Sequence, residues 1–198
     1  MKGYSSSITN NYTNDKIVAL GGGVPAPDYI TSLNIDITTM RSLFIDGGCG
    51  AGQRLGYVGN GISGECTIPY TNLICNVFNG GIRSASTTDS IFSGGGGGAG
   101  SNGFNSDSTK TGNGGNEYIW PVNNVGYGGG GGANGSTSLG GGSSGGRGAY
   151  YGGGSFYRLP GDGKNDFGGG GGAANIPNGY GNSSGNGASG SVTIYIPK

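Results

Sequence analysis

The chain predicts a mainly irregular/β fold: a bundle of extended polyglycine segments with short β-strands and very little α-helix. Three observations carry this. The hexapeptide Gly-Gly-Gly-Gly-Gly-Ala stands at 94–99, 128–133 and 168–173, with a looser copy, Gly-Gly-Cys-Gly-Ala-Gly, at 47–52. An aromatic residue lies one or two positions ahead of each full copy: Phe92, Tyr127 and Phe167. Helix signals are nearly missing, and each of the 52 glycines would cost about 1 kcal/mol in a helix interior. The copies start 47, 34 and 40 residues apart, so the unit is a repeat with variable insertions rather than a fixed-period solenoid.

Residues 1–20 are polar and close on Ile17-Val18-Ala19-Leu20, followed by Gly21-Gly22-Gly23. Pro25 and Pro27 then force an extended path. Leu33-Asn34-Ile35-Asp36-Ile37 alternates with period two and predicts a half-buried strand; Leu43-Phe44-Ile45 ends that stretch and Asp46-Gly47-Gly48 turns it. A second apolar zone, Cys66–Phe78, is broken by Pro69. From 91 onward the Gly blocks alternate with polar excursions, and about one-third of that stretch is Gly without the Gly-X-Y register of collagen. Asn-Gly pairs at 60–61, 79–80, 102–103, 134–135, 178–179 and 186–187 read as turns. Val192, Ile194 and Ile196 share one face of a closing strand, expected to pair with 33–37 or 43–45. Two regions follow: a strand-containing attachment region, 1–90, and a glycine-rich region, 91–198.

An extended polyglycine segment in the left-handed three-residue helix makes no internal hydrogen bonds and rises about 3.1 Å per residue, so five residues span roughly 15 Å. Once buried, its N–H and C=O groups must all be paired by neighbouring segments. Without Cβ atoms the backbones can approach on several sides, giving a backbone lattice in place of a side-chain core. The blocks 94–98, 128–132 and 168–172 should therefore be ordered, extended, mutually adjacent and neither helix nor regular sheet, with the flanking aromatics as caps and side walls.

Charge and motifs exclude much. Ten basic and ten acidic residues cancel, and no Lys/Arg cluster offers a footprint for nucleic acid. No apolar run approaches the roughly 18 residues of a membrane span. The N-terminus lacks the apolar core of a signal peptide, so the expected setting is the cytoplasm of synthesis or a particle released by lysis. Histidine is absent, which removes Ser-His-Asp and Cys-His catalysis, and an enzyme is not expected. Cys49, Cys66 and Cys75 lack zinc-ligand spacing; they read as buried thiols or as one Cys66–Cys75 disulfide with a third thiol. Gly59-Asn60-Gly61-Ile62-Ser63-Gly64 matches GxGxxG by letter but no helix follows it, so no dinucleotide cofactor is implied. Asp162 and Asp166 flank Lys164 in a Gly-rich turn; solvated loop charge is the simpler reading than a calcium site.

The GGGGGA blocks behind aromatics, the Asn/Ser-rich excursions and the closing Gly187-Ala188-Ser189-Gly190-Ser191-Val192-Thr193-Ile194-Tyr195-Ile196 resemble the glycine-rich domains of bacteriophage tail-fibre tip adhesins and related virion proteins. The resemblance covers 91–198 well and 44–90 loosely. It implies poly-glycine type II helices packed as a sandwich, with a host surface recognised by loops at its distal end. A similar glycine-rich domain in a receptor kinase ectodomain makes the motif a mark of architecture more than of function. The implied protein is a non-enzymatic virion component that contacts other virion proteins and a host receptor.

Candidate partner-binding residues are Tyr118 and Trp120 in one excursion, and Tyr150, Tyr151 and Tyr157 in another, each near an acidic or arginine residue. Tyr, Trp and Arg supply most binding hot spots. Packing over the lattice as hydrophobic cover is the competing role for each ring. The excursions 116–122 and 147–158 are expected at one end of the lattice. A capsid-associated cement protein is the alternative function. An ice-binding protein is more remote, because the insertions are irregular and Tyr is abundant.

Overall fold

The computed structural model describes residues 6–19, 50, 52, 78–83, 93–107, 110–134, 140–147, 150–152, 155–158, 161–164, 167–173 and 186–189. Regular structure among them is limited to three antiparallel hairpins: β1 (Ser6–Thr9) with β2 (Lys16–Ala19), β3 (Tyr118–Trp120) with β4 (Val125–Tyr127), and β5 (Tyr150–Gly152) with β6 (Ser155–Arg158). No described residue is helical. The mainly irregular/β class is what the structure has. The expected strands at 33–37 and 192–196, the GxGxxG stretch and the three cysteines lie outside the described residues.

Asparagine closes the first two hairpins. Asn14 (φ 60°) and Asn124 (φ 55°) take the left-handed conformation, which Asn tolerates better than most residues. The β1–β2 turn is tied by Asn14 N–H to Asn10 O at 2.8 Å, and the β3–β4 turn by Asn124 N–H to Trp120 O at 2.9 Å. The third hairpin carries a bulge between Tyr150 and Tyr151, with Tyr150 opposite Arg158 and Tyr151 opposite Phe156.

Between the hairpins runs the lattice, and its hydrogen bonds follow a period of three. Within the first block, the N–H groups of Gly95 and Gly98 donate to Phe104 and Ser101 on one neighbour. Those of Gly96 and Ala99 donate to Gly131 and Gly128 on a second, and Gly97 donates to Gly50 on a third. Two more neighbours bond to its carbonyls: Gly81 N–H to Gly95 O, and Gly115 N–H to Gly96 O. A helix with three residues per turn directs its donors in this way. The lattice thus reaches back before residue 91, through Gly50 and 78–83. Its core is backbone: among the described residues Ala133 is the only buried hydrophobic side chain, and Ser144 is 0% exposed.

The expected mutual adjacency of the blocks holds for two of the three pairs; no hydrogen bond joins 94–98 to 168–172. Block 94–98 pairs antiparallel with 128–132, and 128–132 pairs parallel with 168–172 through Gly170 N–H to Gly129 O and Ala173 N–H to Gly132 O. Block 128–132 lies between the other two.

The Asn-Gly pairs at 79–80, 102–103 and 186–187 depart from expectation: they lie in extended lattice segments, not turns. At the edge formed by 78–83 and 101–107, Asn102 Oδ1 accepts the Asn79 N–H at 2.9 Å, and Asn105 Oδ1 accepts the Ile82 N–H at 2.7 Å. The amide side chains stand in for a further neighbour, at the same spacing of three as the backbone bonds.

Candidate functional site

Tracing the bonded rungs gives the lattice two ends. At one, which we term the cap end, the chain reverses at Ala99–Ser101, leaves through Glu117 and returns at Gly128, and passes Lys164 to Phe167. At the opposite end it leaves and returns at 83/93, 107/110, 134/140, 147/161 and 173/186.

The cap end holds an aromatic cluster. Tyr127 and Phe167 each stand directly before a Gly block, and those blocks run parallel, so the two rings come to the same end and stack with centroids 5.6 Å apart. Gly128 and Gly168 make the same entry into the lattice, at φ 68° and 67°, a conformation that favours glycine. Trp120 meets the Tyr127 ring edge-on at 6.4 Å, and Lys164 Nζ lies 4.1 Å from the Phe167 centroid. A cation over a ring face at an exposed site contributes about 0.5–1 kcal/mol. Asn123 Nδ2 donates to Tyr127 Oη at 2.9 Å, joining the β3–β4 turn to the cluster. Tyr118, Trp120, Tyr127 and Phe167 are half-buried, while Ile119 and Val122 are 48% and 50% exposed at the hairpin tip.

Beneath the cluster lies a carboxylate network. Glu117 Oε2 accepts from Ser143 N–H at 3.0 Å, Ser144 N–H at 3.1 Å and Ser144 Oγ at 2.9 Å. The Ser144 hydroxyl oxygen in turn accepts the Gly129 N–H at 2.8 Å. This holds a tight reversal in the segment 140–147, where Gly142 is at φ 59°. Among the described residues no group of three acidic or cysteine side chains is placed to hold a metal ion.

A family model of the glycine-rich domain matches residues 2–197. The chain belongs to that family. No curated protein and no solved structure matches it. The glycine-rich domain therefore takes in the segments ahead of residue 91 as well as the pentaglycine blocks, as the hydrogen bonds from Gly50 and 78–83 do.

Within this glycine-rich domain the predicted site residues separate. Tyr118 and Trp120 stand on β3 at the cap end. Tyr150 and Tyr151 on β5, and Tyr157 on β6, belong to the hairpin rooted at Arg147 and Gly161, at the opposite end. Both excursions at one end, the sequence expectation, does not hold. The cause is the reversal over Gly141–Gly145: it adds one change of direction and so flips the end from which the next excursion leaves. Sequence reasoning also missed Tyr127 as the partner of Trp120, and the Phe167 and Lys164 contacts that extend the cluster beyond it. The signal was present in the aromatic before each block, but stacking follows only once two blocks are known to be parallel.

Proposed function

We propose that this glycine-rich domain protein is a non-enzymatic virion component, a tail-fibre or spike adhesin that binds a host-surface receptor. The observation that supports this best is the polarity of the lattice, which gathers the connections 83/93, 134/140, 147/161 and 173/186 at one end. A backbone lattice is stiff, and loops on a rigid scaffold are where binding residues concentrate. The composition of those connections, rich in Tyr, Ser, Gly and Asn, is that of a paratope. In this reading the receptor-facing end carries the β5–β6 hairpin with Tyr150, Tyr151 and Tyr157, and the cap end faces other virion proteins. Attachment falls to residues of 1–90 other than Gly50 and 78–83, which are already lattice.

A specific observation favours the second reading, a capsid-associated cement protein. Ile82 and Phe104, 50% and 48% exposed, lie on adjacent segments at the lattice flank, where a neighbouring subunit would cover them. Immunogold electron microscopy with antibodies to the purified chain, on particles released by lysis, separates the two. Label at a fibre or spike tip is expected; label over the shell would favour cement, and label away from particles would overturn the virion reading.

A further inference from the structure

Asparagine followed by glycine is a reactive pair as well as a structural one. A free glycine nitrogen can attack the asparagine side-chain carbonyl carbon and close a cyclic imide, a succinimide. Glycine favours this because no Cβ shields the nitrogen and its backbone turns readily. Hydrogen bonds to the pair, or its burial, oppose the reaction. The Asn-Gly pairs of the lattice differ on these terms. At Asn102–Gly103, the Gly103 N–H donates to Asn79 O at 2.9 Å and Asn102 Oδ1 accepts the Asn79 N–H at 2.9 Å. Those two bonds also hold Asn79 on both sides, and Gly80 behind it is buried. Gly114, after Asn113, is buried against Gly130 O, and Asn134 is 8% exposed. Asn186–Gly187 is unlike these. Both residues are exposed, and among the described residues neither the Gly187 N–H nor the Asn186 side chain has a hydrogen-bond partner. A Cβ added at Gly187 would meet nothing within 4 Å.

We propose that Asn186–Gly187 is a self-modifying site, where the chain converts its own asparagine to aspartate and isoaspartate. The Gly187 nitrogen gives its proton to hydroxide and bonds to Asn186 Cγ; the Cγ–Nδ2 bond breaks and Nδ2 leaves as ammonia. Water then opens the succinimide. Cleavage of the new Cγ–N bond gives aspartate. Cleavage of the original backbone C–N bond leaves the chain running through Cγ, as isoaspartate with a free α-carboxylate. Either product adds a negative charge to a residue whose N–H is already bound by the Asp162 carboxylate, at 2.6 Å, and like charges oppose that bond. Isoaspartate also lengthens the backbone by one atom and turns the carbonyl of residue 186 into a side branch. That carbonyl accepts the Gly163 N–H at 2.8 Å, while Ala188 N–H donates to Gly169 O at 2.8 Å and Ser189 O accepts the Gly168 N–H at 3.0 Å. The longer chain cannot keep all three bonds at their present spacing. Conversion therefore loosens the start of segment 186–189 with time. The proposal is independent of the adhesin reading, because it rests on the chemistry of one lattice-edge pair.

The full chain, folded, is incubated at mildly alkaline pH, then digested, and its peptides are followed by fragmentation mass spectrometry. Asn186 should convert to both products, while Asn79, Asn102 and Asn113 stay intact over the same period. In urea, with the lattice gone, all four should convert. Gly187→Ala provides the blocking variant: the space around Gly187 admits a Cβ, its φ is not positive, and the added methyl shields the attacking nitrogen. It should slow conversion at 186 several-fold. Asn186→Asp tests the consequence, and amide exchange at Gly163 should rise several-fold while exchange at Gly96 is unchanged. Conversion at 186 no faster than at the other three in the folded chain, or undiminished in Gly187→Ala, would overturn the proposal. Unchanged exchange at Gly163 in Asn186→Asp would overturn the loosening ascribed to the new charge.

Discussion

At the scale of single residues, most lattice glycines are present for what they lack. Of the described glycines only Gly128, Gly142 and Gly168 adopt positive φ. The others have backbone angles open to any residue, and what forbids a side chain is the neighbouring backbone. A Cβ on Gly130 would collide with Gly96 O, whereas one on Gly96 would find Gly131 O no nearer than 3.5 Å, ordinary contact. Gly130→Val is therefore expected to destabilise by about 3–5 kcal/mol, since it forces two backbones apart. Gly96→Ala should be neutral, or stabilising by up to about 1 kcal/mol through loss of unfolded-state entropy. Thermal unfolding of the two variants checks this; similar losses in both would mean that the lattice does not pack as described. Ser144→Ala belongs to the same scale. It leaves the Gly129 N–H without its partner at a fully buried site and should cost about 1–3 kcal/mol. Ser144→Thr, which keeps the hydroxyl but adds a methyl, tests whether space or pairing is limiting.

At the scale of elements, the sequence made the lattice and its caps readable but not their direction. Three GGGGGA copies behind aromatics imply buried extended segments, because flexible linkers, whose peptide units water satisfies, do not recur behind an aromatic with polar loops between them. The aromatic before each block implies a cap, and Tyr127 on Phe167 is one. Asn-Gly was ambiguous for a physical reason. The same amide that closes a turn in αL can accept an N–H from a parallel neighbour, as Asn102 and Asn105 do. The reversal at 141–145 was hidden because Gly-Gly-Ser-Ser-Gly reads as one more flexible stretch until the Glu117 carboxylate, distant in sequence, is seen to bind its N–H groups. Glu117→Ala is accordingly expected to loosen this reversal, raising amide exchange at Ser143 and Ser144 while leaving exchange at Gly96 and Gly97 unchanged. A uniform rise across the lattice would show that Glu117 acts on global stability instead.

At the scale of the whole molecule, the two aromatic excursions stand at opposite ends, and this separates their roles experimentally. Trp120 packs edge-on against Tyr127, which stacks on Phe167 under Lys164, so its ring is engaged within the cap. Trp120→Ala should lower stability by about 1–3 kcal/mol through lost burial and one aromatic pair. If the receptor is met at the end from which the connections 147/161 and 173/186 depart, that variant should still bind cells at temperatures where it stays folded. Replacing Tyr150, Tyr151 and Tyr157 together by Ala should abolish cell binding while the aromatic cap, read by near-ultraviolet circular dichroism of Trp120, stays in place. The pair of measurements decides the polarity of the protein on its particle. Loss of binding in Trp120→Ala with retention in the triple variant would reverse the assignment, making the cap end the receptor-facing one. Retention in both would remove these rings from recognition and strengthen the cement reading, in which the flank bearing Ile82 and Phe104 is the contact that matters.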